Sequence, residues 1–181
     1  MADIFGNGAK AAPDDVLFQS DVTVLGVGNV ILRDEGFGVR VAEYLDAHYD
    51  FPENVQIVDG GTLGIELTQF VTGTKKLLVI DSINGHVAPG TRFAIRDDDV
   101  LALLEVPGHK IPTVTVLGAQ PYNLEAGVEL SEEMKKLVPE VAEEALAELK
   151  TWGVEATAKE HVAPVDIGRV AEAVADQQPP R

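Results

Sequence analysis

The chain has no cysteine among its 181 residues. That removes disulfides, thiolate zinc sites and thiol nucleophiles at a stroke, so any metal would have to be held by histidine, carboxylate, backbone or water. It also lacks an apolar run approaching the ~18 residues that cross a bilayer, and its start, MADIFGNGAK, has neither the basic flank nor the apolar stretch of a signal peptide. These features predict a cytoplasmic protein with no membrane partner. Basic residues are scarce as well: 14 Lys and Arg stand against 30 Asp and Glu, a formal charge of −16. Such a surface repels phosphate backbones and anionic lipids, which excludes nucleic acid as a partner but tolerates a basic polypeptide or one that carries a metal. There is no internal repeat, no linker that would split the chain, and no G-x-S-x-G element of a serine nucleophile.

What is present is a repeated alternation. With 45% hydrophobic residues the chain can bury a sizeable core, and its length fits one domain. Residues 1–20 read as a loose Gly/Pro/Asp-rich arm and residues 161–181 as a weakly ordered tail, leaving a domain over 21–160. Within it, DVTVLGV is a short β-branched run that stops at glycines, and Val39, Val41, Ala42 and Leu45 come next at helical spacing. Val55 to Asp59 is a second strand before GGT, with a short helix expected around Ile65 to Val71, and Lys76 to Asp81 is a third, apolar enough to be buried on both faces. GTRFAIR and TVTVLG read as further strands, Asp97-Asp98-Asp99 as the acidic start of a short helix, and Ser131 as the N-cap of a helix reaching about Lys150. The expected fold is α/β: a three-layer sandwich whose twisted, mostly parallel sheet is flanked by helices on both faces.

Open sheets of this kind bind ligands beyond the carboxyl ends of their strands. Strand one brings Gly26, Gly28, Asn29, Asp34 and Glu35 there, strand two Asp59, Gly60, Gly61 and Thr62, and strand three Asp81 and Ser82. A dinucleotide site is the obvious first reading, yet the third glycine of G-x-G-x-x-G is Ile31, and two acids lie where a pyrophosphate would sit. Each would oppose it by roughly 1 kcal/mol or more. The second reading is a divalent-metal or carboxylate-catalytic site built from Glu35 and Asp59, because carboxylates gathered from different strands repel unless a cation or a shared proton intervenes. Against both stands a purely structural role: Asp34 or Glu35 at a helix start, Asp59 and Asp81 bonded to their own loop amides. Of four histidines, His48 falls at a helix end and His161 in the tail, whereas His86 and His109 lie in loops, His86 on the ligand-binding edge.

The ordered set GVGNVILRDEGFGVRVAEYL (26–45), VDGGTLGIEL (58–67), LLVIDSINGHVAPGT (77–91), FAIRDDDV, LGAQP (117–121) and GVELS (127–131) resembles the hydrogenase maturation proteases, over about residues 21–150. That resemblance implies an endopeptidase that removes a C-terminal extension from a [NiFe] hydrogenase large-subunit precursor after nickel insertion. The nickel, carried by the substrate, or another divalent metal in its stead, would be the recognition element. It implies a metal-binding cleft of glutamate, aspartate and histidine, carried onto Glu35, Asp59 and His109, with Glu35 and Asp59 also catalytic. His86 is the other candidate for the histidine, since Lys110 to Pro112 lead directly into the next strand where the family has a helix. Gly28, Asn29, Asp34, Gly60, Gly61 and Thr62 are expected to line the substrate, Asp34 doubling as a helix-start or loop brace. The chain is expected to act as a monomer. The competing readings are a non-catalytic nickel-sensing chaperone and a nucleotide-binding module.

Overall fold

A computed structural model describes residues 20–61, 73–96, 111 and 113–160. The expected arm, the helix around Ile65, the helix after the Asp97 triplet, the tail, and the site candidates Thr62 and His109 lie outside them. Five strands, β1 (Val22–Val27), β3 (Val55–Gly61), β4 (Lys76–Ser82), β5 (Arg92–Arg96) and β6 (Thr113–Ala119), form one sheet in the order β3-β1-β4-β6-β5. β1 pairs in parallel with β3 and β4, and β4 with β6, while β5 closes the edge antiparallel to β6. A separate ribbon of β2 (Tyr49–Asp50) and β7 (Thr157–Ala158) pins the end of the described chain to the end of the first helix.

Strand alternation divides the core. Val22 and Val24 of β1 and Leu78 and Ile80 of β4 face the two described helices, whereas Leu25, Leu77, Val79 and Val114 form a second apolar layer on the opposite face. The central strands are thus buried on both sides, as the apolar run in LLVI predicts. Helix α1 (Phe37–His48) places Phe37, Val41 and Leu45 on the sheet at i, i+4 and i+8, each fully buried and contributing roughly 2–3 kcal/mol by burial. At its end the His48 ring stacks on Tyr44, and its Nδ1 lies 2.8 Å from the Tyr44 carbonyl, which fits the helix-terminal role expected of this histidine.

Helix α2 (Glu132–Thr151) begins where the sequence predicts, the Ser131 hydroxyl accepting the Met134 amide at 3.3 Å. Its buried stripe runs Met134, Val138, Val141, Ala142, Ala145, Leu149, interrupted by Glu148, whose carboxylate accepts hydrogen bonds from Thr115 and from Arg96 on β5. Arg92 adds salt bridges to Glu140 and Glu144, so the antiparallel edge strand is held to α2 by a charged seam.

Candidate active site

The carboxyl edge is assembled from backbone that passes very close to itself. Gly38, near the start of α1, lies so near β1 and β4 that a Cβ there would sit 1.9 Å from the Ile80 carbonyl oxygen. Gly28 has φ +139°, and a Cβ would fall 1.9 Å from the Glu35 carbonyl oxygen. Glycine at these points lets α1 start directly against the strand ends, which brings the short 3-10 turn Arg33–Gly36 with its two acids over the edge.

The two neighbouring acids do different things. Asp34 is completely buried: its Oδ2 accepts the Tyr122 amide (3.0 Å), the Asn123 amide (2.8 Å) and the Ser131 hydroxyl (2.8 Å), and its Oδ1 accepts the Ser131 amide (2.7 Å). With its carboxylate spent on four internal donors, Asp34 is not a substrate contact, contrary to its grouping with the lining residues; it is the loop brace. Beside it, the Arg33 amide donates to the Gly127 carbonyl (2.8 Å) and the Gly127 amide to the Ile31 carbonyl (2.9 Å), fastening the loop after β1 to the loop after β6. Arg33 holds a left-handed φ of 47° there.

Glu35 is half-buried on the edge, and its ionisable companion is Asp81 at the end of β4. Burial pushes the Asp81 carboxyl up to about 6; the Ser82 amide, donated to its Oδ1 at 2.7 Å, works against this, and the Glu35 charge adds to the rise. The sequence reading pairs Glu35 with Asp59 instead, and strand register sets the two strand-ending acids on different faces. Gly26 pairs with Asp59 on one side and with Ile80 on the other. By alternation Asp59 therefore shares the α1 face with Ile80, whereas Asp81, one residue further, belongs to the opposite face with Val79. Asp59 is exposed, and its Oδ1 accepts the Gly61 amide at 2.9 Å, the loop-amide role weighed for it.

Asp81 was legible as a strand-ending acid but not as a partner of Glu35. The available signal was parity: an acid placed after four fully apolar strand residues is desolvated by whichever layer covers them. The remaining lining residues are placed plainly. Gly28 donates its amide to the Gly61 carbonyl (3.0 Å), Gly60 is the extra residue where the β1–β3 register shifts, and Asn29 uses its side-chain oxygen to accept the Ile31 amide (3.2 Å). His86 is exposed on the loop after β4 with φ 54°. Among the described residues no three acidic or histidine side chains converge as a metal site.

A sequence profile described as "Hydrogenase maturation protease" matches residues 39–112. The "Hydrogenase 2 maturation protease" of Escherichia coli (strain K12) is 34% identical over 160 residues, spanning 78% of this chain and 98% of that protein. The chain belongs to the hydrogenase maturation protease family. A further relative, the "Hydrogenase expression/formation protein HupD" of Rhizobium leguminosarum bv. viciae, is 35% identical over 76% of this chain and 78% of its own length. The solved structure of the "hydrogenase maturating endopeptidase HybD" from E. coli superposes with a TM-score of 0.71 at 34% identity, covering 76% of this chain and 97% of that one. The mixed, mostly parallel sheet flanked by helices is thus the fold of this peptidase family, and neither a dinucleotide fold nor its phosphate loop is needed to explain the glycines after β1.

Proposed function

We propose that this maturation protease is an endopeptidase that removes the C-terminal extension of a [NiFe] hydrogenase large-subunit precursor once nickel has been inserted, and that the substrate's nickel is what it recognises. The observation that supports this most is the Asp81 carboxyl at the carboxyl edge, raised to about 6 by burial with the Glu35 charge adding to it. A desolvated carboxylate with a second negative charge nearby is relieved by an external cation, and carboxylate with imidazole suits nickel. Glu35 and Asp81 would face the metal, His109 would supply the imidazole, and Asp59 would flank them from the other side of the edge. Above about pH 6 the ionised Asp81 also has the basicity to take a proton from an attacking water. No helix among the described residues is long and apolar enough to cross a membrane, which is compatible with the proposed cytoplasmic setting.

The test is cleavage of a nickel-loaded precursor by wild type and by Glu35→Gln, Asp81→Asn and Asp59→Asn. The first two are expected to lose about 100-fold or more in kcat/KM, with a smaller loss for Asp59→Asn. Precursor binding by wild type without cleavage would instead establish a nickel-sensing chaperone.

A further inference from the structure

Among the described residues the exposed large hydrophobic side chains are Ile31, Val87, Tyr122, Leu124 and Val128, between 42% and 60% accessible. All five sit on the three loops that come after the carboxyl ends of β1, β4 and β6, so they border the edge that carries Glu35 and Asp81. Scattered exposed hydrophobics are ordinary; their confinement to one edge of a chain with charge −16 is not.

The rim is preformed. Asp34 ties the first loop to the third, and buried Gln120 ties the second to the third: its Oε1 accepts the Gly85 (2.9 Å) and Val87 (3.4 Å) amides and its Nε2 donates to Asn84 Oδ1 (3.1 Å). Beside Val128 the rim continues into a groove of about 220 Å³ between α1 and α2, walled by Tyr44, Leu130, Val138 and Pro139.

We infer that this apolar rim is the docking surface for the folded body of the protein substrate, a partner that presents apolar side chains around a cationic centre. The inference rests on the processing function proposed above and adds how the substrate is held. Two features select this occupant. The complement of apolar loops beside two carboxylates is an apolar surface beside positive charge. The loop amides at Arg33, Asp34, Gly85, Tyr122, Asn123 and Gly127 are all donated within the rim. An extended peptide, which is gripped through free main-chain groups, therefore finds few there, and recognition falls to side chains.

The experiment measures binding of a nickel-loaded precursor, and separately of a synthetic peptide of its C-terminal extension, to wild type and to a Leu124→Ser/Val128→Ser variant. Both positions are exposed, and an unchanged melting temperature checks the fold. The expected result is a Kd for the precursor weakened at least tenfold in the variant, kcat at saturating precursor within twofold of wild type, and no measurable binding of the peptide to either protein. An unchanged Kd, tight binding of the peptide alone, or no binding of precursor to wild type overturns the inference. So does a wild-type dimer in sedimentation that the variant dissolves, because the rim would then be occupied by a second copy. Wild type that binds the precursor through the rim yet leaves it uncleaved retires the processing function and leaves the docking surface standing.

Discussion

Replacing Asp81 by asparagine should make the protein more stable at neutral pH. Its carboxyl is moved from 3.8 to about 6, first by burial, with the Glu35 charge adding to it. Between those values the folded chain holds the proton more tightly than the unfolded chain, so the stability this group contributes is complete below 3.8 and is lost as pH rises through about 6. A shift of this size corresponds to about 3 kcal/mol, a change of more than a hundredfold in the folding equilibrium. Asparagine keeps the oxygen that accepts the Ser82 amide at 2.7 Å and removes only the charge. Urea denaturation of both proteins with a chelator present, at pH 4, 5, 6 and 7.5, reads the effect. Asp81→Asn should exceed wild type by about 2–3 kcal/mol at pH 7.5 and match it near pH 4. The repulsion from the overall charge is nearly common to both proteins and cancels. A gap independent of pH, or a wild type that is the more stable at pH 7.5, would refute the raised Asp81 carboxyl. Adding nickel or another divalent cation at pH 7.5 should raise wild type toward the variant and leave the variant unmoved.

Other perturbations are equally specific. Asp34→Ala strands the Tyr122, Asn123 and Ser131 amides in a buried site and should cost about 3 kcal/mol or more, read by chemical denaturation; a loss under 1 kcal/mol would contradict the bracing role. Gly28→Ala forces a Cβ against the Glu35 carbonyl at a left-handed φ and should cost about 2–4 kcal/mol while lowering cleavage in protein that remains folded by circular dichroism. Glu148 is held below the usual carboxylate value, chiefly by Arg96, with Thr115 assisting against desolvation, so its contribution is present above 4.5 and fades as pH falls below it. Glu148→Gln should therefore be less stable than wild type by about 1–2 kcal/mol at pH 7, and the difference should shrink toward pH 3.

The parallel strands were readable because each is a short apolar run stopped by glycine or an acid, and α2 because Ser131 and its apolar stripe announce both its start and its face. Glu35 and Asp81 could each be placed on the correct edge for the same reason: in an open parallel sheet the residues just past the strand ends gather along one side. Their partnership was not readable. Which acids meet depends on the register of three strands and on alternation within them, and a string of residues gives the order of strands no more than it gives their phase. Asp34 was ambiguous in the same way, since its donors come from a loop nearly ninety residues away. The β2–β7 ribbon went unanticipated because two residues carry no period.

The long reach of Asp34 has a consequence for when the enzyme becomes an enzyme. Its partners lie 88 to 97 residues further along the chain, and Ser131 both receives Asp34 and starts α2. During synthesis the turn that carries Glu35 is made early, but its Asp34 anchor is not formed until the third loop has emerged and α2 has docked. Closing so long a loop comes late in folding. The edge that carries Glu35 is thereby completed only together with the domain as a whole.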